Sequence, residues 1–125
     1  MNDTDIEQAI VAAGKTAPRV TPDRIGSRIR SEHYFTAAQA VRAGGISDTH
    51  FDYADFSDVT APLELLTLCV LVLENGFTVI GDSACVSPEN FDATIGRKCA
   101  REKAINKIWE LEGYLLRQRL HEGTK

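Results

Sequence analysis

Two arginines one helical turn apart, Arg97 and Arg101, are the residues of this 125-residue chain whose type and spacing best suit chemistry. At about 100° per residue they share a helical stripe with Ala104, Ile108 and Leu115. A guanidinium that continues an apolar stripe must snorkel to water, pair with a carboxylate, or meet an anion. A salt bridge to the acidic middle of the chain is one outcome. An anionic ligand or partner is the other, which makes Arg97 and Arg101 the candidate anion-binding residues.

Other chemistries find less support. His33, His50 and His121 are scattered among Cys69, Cys85 and Cys99 without the paired spacings of a zinc site. Asp52, Asp55 and Asp58 recur every third residue, which is not the ligand pattern of a calcium-binding loop, and read as a solvated acidic loop. Ser31-Glu32-His33-Tyr34 gathers the residue types of a nucleophilic triad, but sequence neighbours do not make one and no nucleophile-elbow motif is present. Gly44-Gly45 lacks the Lys-Ser/Thr that would complete a phosphate cradle. Tyr34 and Phe35 read as core aromatics. No catalytic residue, metal or cofactor is assigned, and the expectation is a protein that binds and does not turn over a substrate.

The elements that must position these residues belong to an α+β fold with short N-terminal helices, a central β-hairpin and a long C-terminal helix. Thr4 and Glu7 fit a capping box, with Ile6, Ile10 and Val11 on one face and Gly14 as the stop. Thr21-Pro22-Asp23 starts a second helix that directs Ile25 and Ile29 inward and leaves Arg24, Arg28 and Arg30 on other faces. Thr36 caps a third, Ala37 to Arg42. From Ile46 to Thr60, Asp48 and its fellow acids alternate with Phe51, Tyr53 and Phe56, which predicts an ordered loop closed by Pro62.

The hairpin is the clearest element. Leu65–Leu73 is apolar on both faces, Asn75-Gly76 suits a type I′ turn, and Phe77–Gly81 returns. A strand apolar on both sides needs two covers: helices on one, and on the other more helices, a third strand from the aromatic loop, or a second copy. A homo-oligomer is expected on that ground. Ser87-Pro88-Glu89 predicts the start of the last helix, which runs towards Leu120 with Gly96 and Gly113 as points of kinking or close backbone approach.

Composition bounds the rest. The length fits a single domain, residues 1–125, with 1–16 as a loosely attached N-terminal helix. Three cysteines without paired spacing predict reduced thiols, and Cys69 sits in an apolar run as a small hydrophobe. No apolar stretch approaches the roughly 20 residues that span a bilayer, and the acidic first residues are no targeting peptide. Net charge is −4 but unevenly spread. Residues 1–42 carry six basic and five acidic side chains, 43–96 nine acids and no Lys or Arg, and 97–125 eight basic and four acidic. A pI near 5.3 argues against a dedicated duplex binder, although the terminal segments can present a local basic face.

Several blocks occur in a familiar order: Ala17-Pro18-Arg19-Val20-Thr21-Pro22, Asn75-Gly76-Phe77-Thr78-Val79, Ser87-Pro88-Glu89-Asn90-Phe91-Asp92, Ile95-Gly96-Arg97-Lys98, Ile108-Trp109 and Gly113-Tyr114. Together they resemble the gene-product forty-nine/sixty-six family of small tailed-phage proteins. Glu110 stands where that family often has a proline after the tryptophan. The resemblance implies a phage origin and a host-cytosol location, and brings no site. With the arginines, it leads to the expectation of a phage accessory protein that sequesters a phosphate-bearing nucleotide signal or masks a host protein, as a counter-defence. The rival readings are a nucleic-acid accessory, betrayed by salt-dependent retention of DNA or RNA, and a purely structural oligomer.

Overall fold

A computed structural model describes residues 3–15, 17–43 and 56–123. The elements run α1 (Asp3–Ala12), α2 (Pro22–Arg28), β1 (Ile29–Thr36), α3 (Ala37–Arg42), α4 (Phe56–Leu63), β2 (Leu66–Leu73), β3 (Thr78–Ala84) and α5 (Ala93–Gly123). The three strands form one antiparallel sheet in the order β1-β2-β3, and α5 lies across β2 and β3. The fold is therefore α+β, with the short helices, hairpin and long C-terminal helix that the sequence predicts.

The third strand comes from an unexpected place. Ile29 does not continue α2 but opens β1, which pairs with β2 from Ile29↔Leu73 to Thr36↔Thr67 with a bulge near Arg30. The ordered aromatic loop expected to supply it falls at residues 44–55, with Asp48, Asp52 and Asp55, outside the described residues, and Phe56–Leu63 after it is helical with Pro62 inside. Ser31-Glu32-His33-Tyr34 thus lies on an edge strand, which places Ser31 and His33 on one face and Glu32 and Tyr34 on the other.

The hairpin turn is of another type than the sequence suggests. Among the described residues no non-glycine has a positive φ, so Asn75 has a negative φ and the turn is not type I′. The Gly76 N–H donates to the Leu73 carbonyl (2.9 Å) and the Leu73 N–H to the Phe77 carbonyl (2.8 Å). Gly76 itself sits at φ +88°. This is a three-residue hairpin whose glycine takes the left-handed position.

The helix starts follow local capping. Thr21 accepts from the Arg24 N–H (3.1 Å) with Pro22 in the first turn, and Thr36 forms a capping box with Gln39. The α1 helix already runs at Asp3, so Thr4 lies inside its first turn and is not its cap. It ends as predicted at Gly14 (φ +71°): the Gly14 N–H reaches Val11 O and the Lys15 N–H reaches Ile10 O, a Schellman closure. Ser87-Pro88-Glu89 does not start α5. Pro88–Asn90 forms a separate 3-10 turn, and Asp92 Oδ1 caps α5 by accepting from the Ile95 N–H (3.0 Å).

The core lies between α5 and one face of the sheet. Cys69, Leu71 and Leu73 of β2 and Val79 of β3 meet Ala100, Ala104 and Ile108 of α5, and Ile25 of α2 seals one end. Gly81 lets the α5 backbone come down onto β3: a Cβ there would lie 2.0 Å from Ala100 O and 2.5 Å from Ala104 N. Gly96 faces the Thr67 side chain, and Gly113 faces open space, so α5 is one continuous helix past both glycines. The opposite face of β2 (Leu66, Leu68, Val70, Val72) is half-buried, and its neighbour Ile80 is 45% exposed.

Candidate functional site

The buried line of α5 is Gly96, Ala100, Ala104, Ile108 and Glu112. Each i+4 step turns about 40° around the axis, so the face pressed on the sheet rotates along the helix. The stripe predicted from Ala104, Ile108 and Leu115 therefore misses the buried direction near the start of α5, and Arg97 and Arg101 lie on its flank. Arg97 is exposed and has no partner among the described residues. Arg101 donates through Nε to Glu32 Oε1 (2.8 Å), and Tyr34 OH donates to the same oxygen (2.6 Å). The Arg101 and Tyr34 hydrogen bonds hold the Glu32 carboxyl below its ordinary range, and burial pushes the Tyr34 hydroxyl well above its own. Arg101 thus takes the salt-bridge outcome, with a carboxylate of β1 and not of the acidic middle segment. The two arginines stay one turn apart on the flank of α5, Arg97 exposed and Arg101 paired with Glu32.

Ser31 Oγ lies 3.0 Å from His33 Nε2, but Glu32 is turned to the other face. No carboxylate orients His33 among the described residues, so the nucleophilic arrangement is incomplete.

The arginines that converge are others. Thr21 and Pro22 fix the start of α2, Ile25 anchors it in the core, and Arg24 and Arg28 follow at i and i+4 on a face towards the far half of α5. Arg28 donates to Glu112, which is only 7% exposed, and to Glu74 at the hairpin (3.3 Å). Glu112 is the carboxylate that ends the buried line of α5, and a buried carboxylate requires such a partner. The pair fixes how α2 sits on α5, and the Glu112 bond, then Glu74, holds Arg28 more firmly charged than a free arginine.

Arg28 and Glu112 separate two clefts. On one side Arg19, Arg24, Arg28 and Arg119 line a small recess of about 90 Å³ floored by Val20, Leu115 and Leu116. On the other, Leu73, Phe77, Ile108, Leu111 and Tyr114 line a larger cleft of about 560 Å³. The two share Arg28, Glu112, Leu115 and Arg119 and so meet at that pair. Arg19 is taken up by Glu7 of α1. Arg24 and Arg119 have no carboxylate partner among the described residues, which leaves two guanidinium forks to face an incoming anion.

The sequence pattern directs Arg24 and Arg28 to other faces and carries no spacing signal for Arg19 or Arg119. The available signal was Glu112: an acid four residues beyond a buried Ile108 has to find a cation.

No helix among the described residues is long and apolar enough to cross a membrane. No curated protein and no solved structure is significantly similar to the chain. The model of the phage protein (N4 Gp49/phage Sf6 gene 66) family matches residues 20–120, a stretch that holds the sheet, α5 up to residue 120 and all the arginines of the cleft but Arg19, and the chain belongs to that family.

Proposed function

We propose that this phage protein acts in the host cytosol by binding a phosphate-bearing small molecule, a nucleotide signal of host defence being the chemistry that fits, and that it sequesters this molecule without turning it over. The observation that carries the reading is the junction of the two clefts. A recess the size of a phosphate, with Arg24 and Arg119 free of carboxylate partners among the described residues, adjoins an apolar cleft of about 560 Å³ walled by Phe77 and Tyr114. Small-molecule sites commonly have about 300–1,000 Å³, an apolar lining and a few charged groups that orient the ligand. A nucleotide has that polarity: an aromatic base for the apolar side and phosphates for the cationic side.

Self-association belongs to the same reading. The half-buried row Leu66, Leu68, Val70 and Val72, beside exposed Ile80, suits a second copy of the sheet better than water. Light scattering that gives the chain mass of 13.7 kDa at micromolar concentration would remove that part.

Titration calorimetry with ADP, adenosine and pyrophosphate tests the site. The expected result is binding of ADP, weaker binding of pyrophosphate, and a loss of at least about tenfold for ADP in Arg24→Gln/Arg119→Gln. Arg97→Gln/Arg101→Gln should leave ADP binding in place; if it alone abolishes binding, the site lies at the start of α5. No heat from ADP or pyrophosphate at millimolar concentration would refute the reading.

A further inference from the structure

We propose that α1 is a built-in competitor for the arginine cleft: Glu7 occupies Arg19 as a ligand phosphate would, and a bound phosphate displaces the helix. The inference rests on the cleft reading above and adds how the site is regulated.

The first ground is how little holds α1. It has no buried residue, and its apolar Ile6 and Val11 are 44% and 55% exposed. Its Ile10 is half-buried, and two polar contacts tie the helix down at Glu7 and Asp3. Arg19 Nη1 donates to Glu7 Oε2 (2.8 Å) while Nη2 donates to Oε1, and Trp109 Nε1 donates to Asp3 Oδ2 (3.1 Å). Releasing α1 therefore exposes no buried residue of its own, whereas Glu112 is built into the buried line of α5.

The second ground is chemical mimicry. The two-pronged Arg19–Glu7 contact is the geometry by which arginine also grips a phosphate, and Arg19 lines the same recess as Arg24, Arg28 and Arg119. The arm is matched to the cleft in charge. Residues 1–14 carry Asp3, Asp5 and Glu7 and no Lys or Arg, whereas the recess is lined by four arginines. Glu7 and Arg19 both keep about a quarter of their side-chain surface in water, so a multiply charged ligand can reach Arg19 and compete with the single carboxylate. Because residues 13–20 stay attached, a displaced α1 remains close and closes again when the ligand leaves. α1 and Arg19 also lie outside the stretch matched by the family model, residues 20–120.

The test uses the full chain and pyrophosphate as probe. Trp109 is the single tryptophan and its indole N–H is bonded to α1, so its fluorescence reports release of the arm. Saturating pyrophosphate should shift Trp109 emission and speed hydrogen exchange at the amides of residues 7–12. Glu7→Gln should bind pyrophosphate about fivefold more tightly, the range expected from freeing a partly exposed ion pair. Asp3→Ala, which removes the acceptor of the Trp109 N–H and so cuts the second tether away from the cleft, should tighten it about twofold and leave the melting temperature nearly unchanged. Undiminished protection of α1 at saturation overturns the competitor. So does a Glu7→Gln variant that binds no tighter than the parent, while Arg24→Gln/Arg119→Gln still weakens the parent and upholds the cleft. Absence of pyrophosphate binding in both the parent and Glu7→Gln overturns cleft and competitor together.

Discussion

Gly81→Ala adds one methyl group at the point where α5 rests on β3. The built Cβ would lie 2.0 Å from the carbonyl oxygen of Ala100 and 2.5 Å from the amide nitrogen of Ala104. An ordinary carbon–oxygen contact is about 3.3 Å or more, so the helix and strand must part by roughly 1 Å. Both offending atoms are backbone within a continuous helix, and neither can swing away as a side-chain end does. Separating α5 from the sheet by that much loosens every contact that Cys69, Leu71 and Val79 make with Ala100, Ala104 and Ile108. Overpacking a core against movable side chains typically costs about 1–3 kcal/mol; against backbone the upper end applies, about 3 kcal/mol. With a denaturant slope near 1.5 kcal/mol/M, the urea midpoint should fall by roughly 2 M. Gly113→Ala is the matched control: nothing lies within 4 Å of its Cβ, so replacing a helix-interior glycine should raise stability by about 0.5–1 kcal/mol. If Gly81→Ala shifts the midpoint by no more than Gly113→Ala does, α5 does not sit on β3 as described.

Gly76→Val should cost more than about 1 kcal/mol in a denaturant titration, because a β-branched residue resists the φ of +88° that closes the hairpin. Arg28→Gln strands the buried Glu112 and should cost about 2 kcal/mol, less than for a fully buried pair because Arg28 is partly exposed. Adding Glu112→Gln should restore part of that loss, and a double variant no more stable than Arg28→Gln would contradict the pairing. Glu32 has its folded pKa depressed below the ordinary 4.5 by Arg101 and Tyr34. Its contribution is therefore complete above that value and disappears as pH falls through the folded pKa. Glu32→Gln should flatten the acid limb of a stability–pH curve, and an unchanged limb would show that the Arg101–Glu32 contact is not formed in solution.

The parts of the fold that were legible in the sequence are those where a local signal and the tertiary structure agree. Asn75-Gly76 between two apolar runs announced the hairpin even though the turn is of another type, because a single left-handed glycine serves both. β1 was illegible for a physical reason. Its face towards α5 carries Glu32 and Tyr34, bonded to each other with Arg101 on Glu32, so the expected alternation of apolar and polar residues is absent. At the start of α5 two capping signals compete within six residues. Ser87-Pro88-Glu89 is used by a 3-10 turn, and the carboxylate of Asp92 takes the helix.

The candidate site was less legible than the fold, and the cause lies in how α5 meets its neighbours. A single period of 3.6 residues projects Arg97 and Arg101 onto the line of Ile108 and Leu115, yet the buried face turns by about 40° with each i+4 step. Near the start of α5 the sheet takes Gly96 and Ala100, and the two arginines fall to the side. Near its end the same rotation carries Glu112 inward, where Arg28 must meet it, and brings Leu115 and Arg119 over α2. The arginine recess is therefore assembled from residues 19 to 28 and 112 to 119, segments that no spacing rule connects. One requirement does connect them, that a buried carboxylate be matched by a cation. Meeting it with Arg28 sets α2 on α5, and that placement brings Arg24 and Arg119 to one recess without carboxylate partners among the described residues.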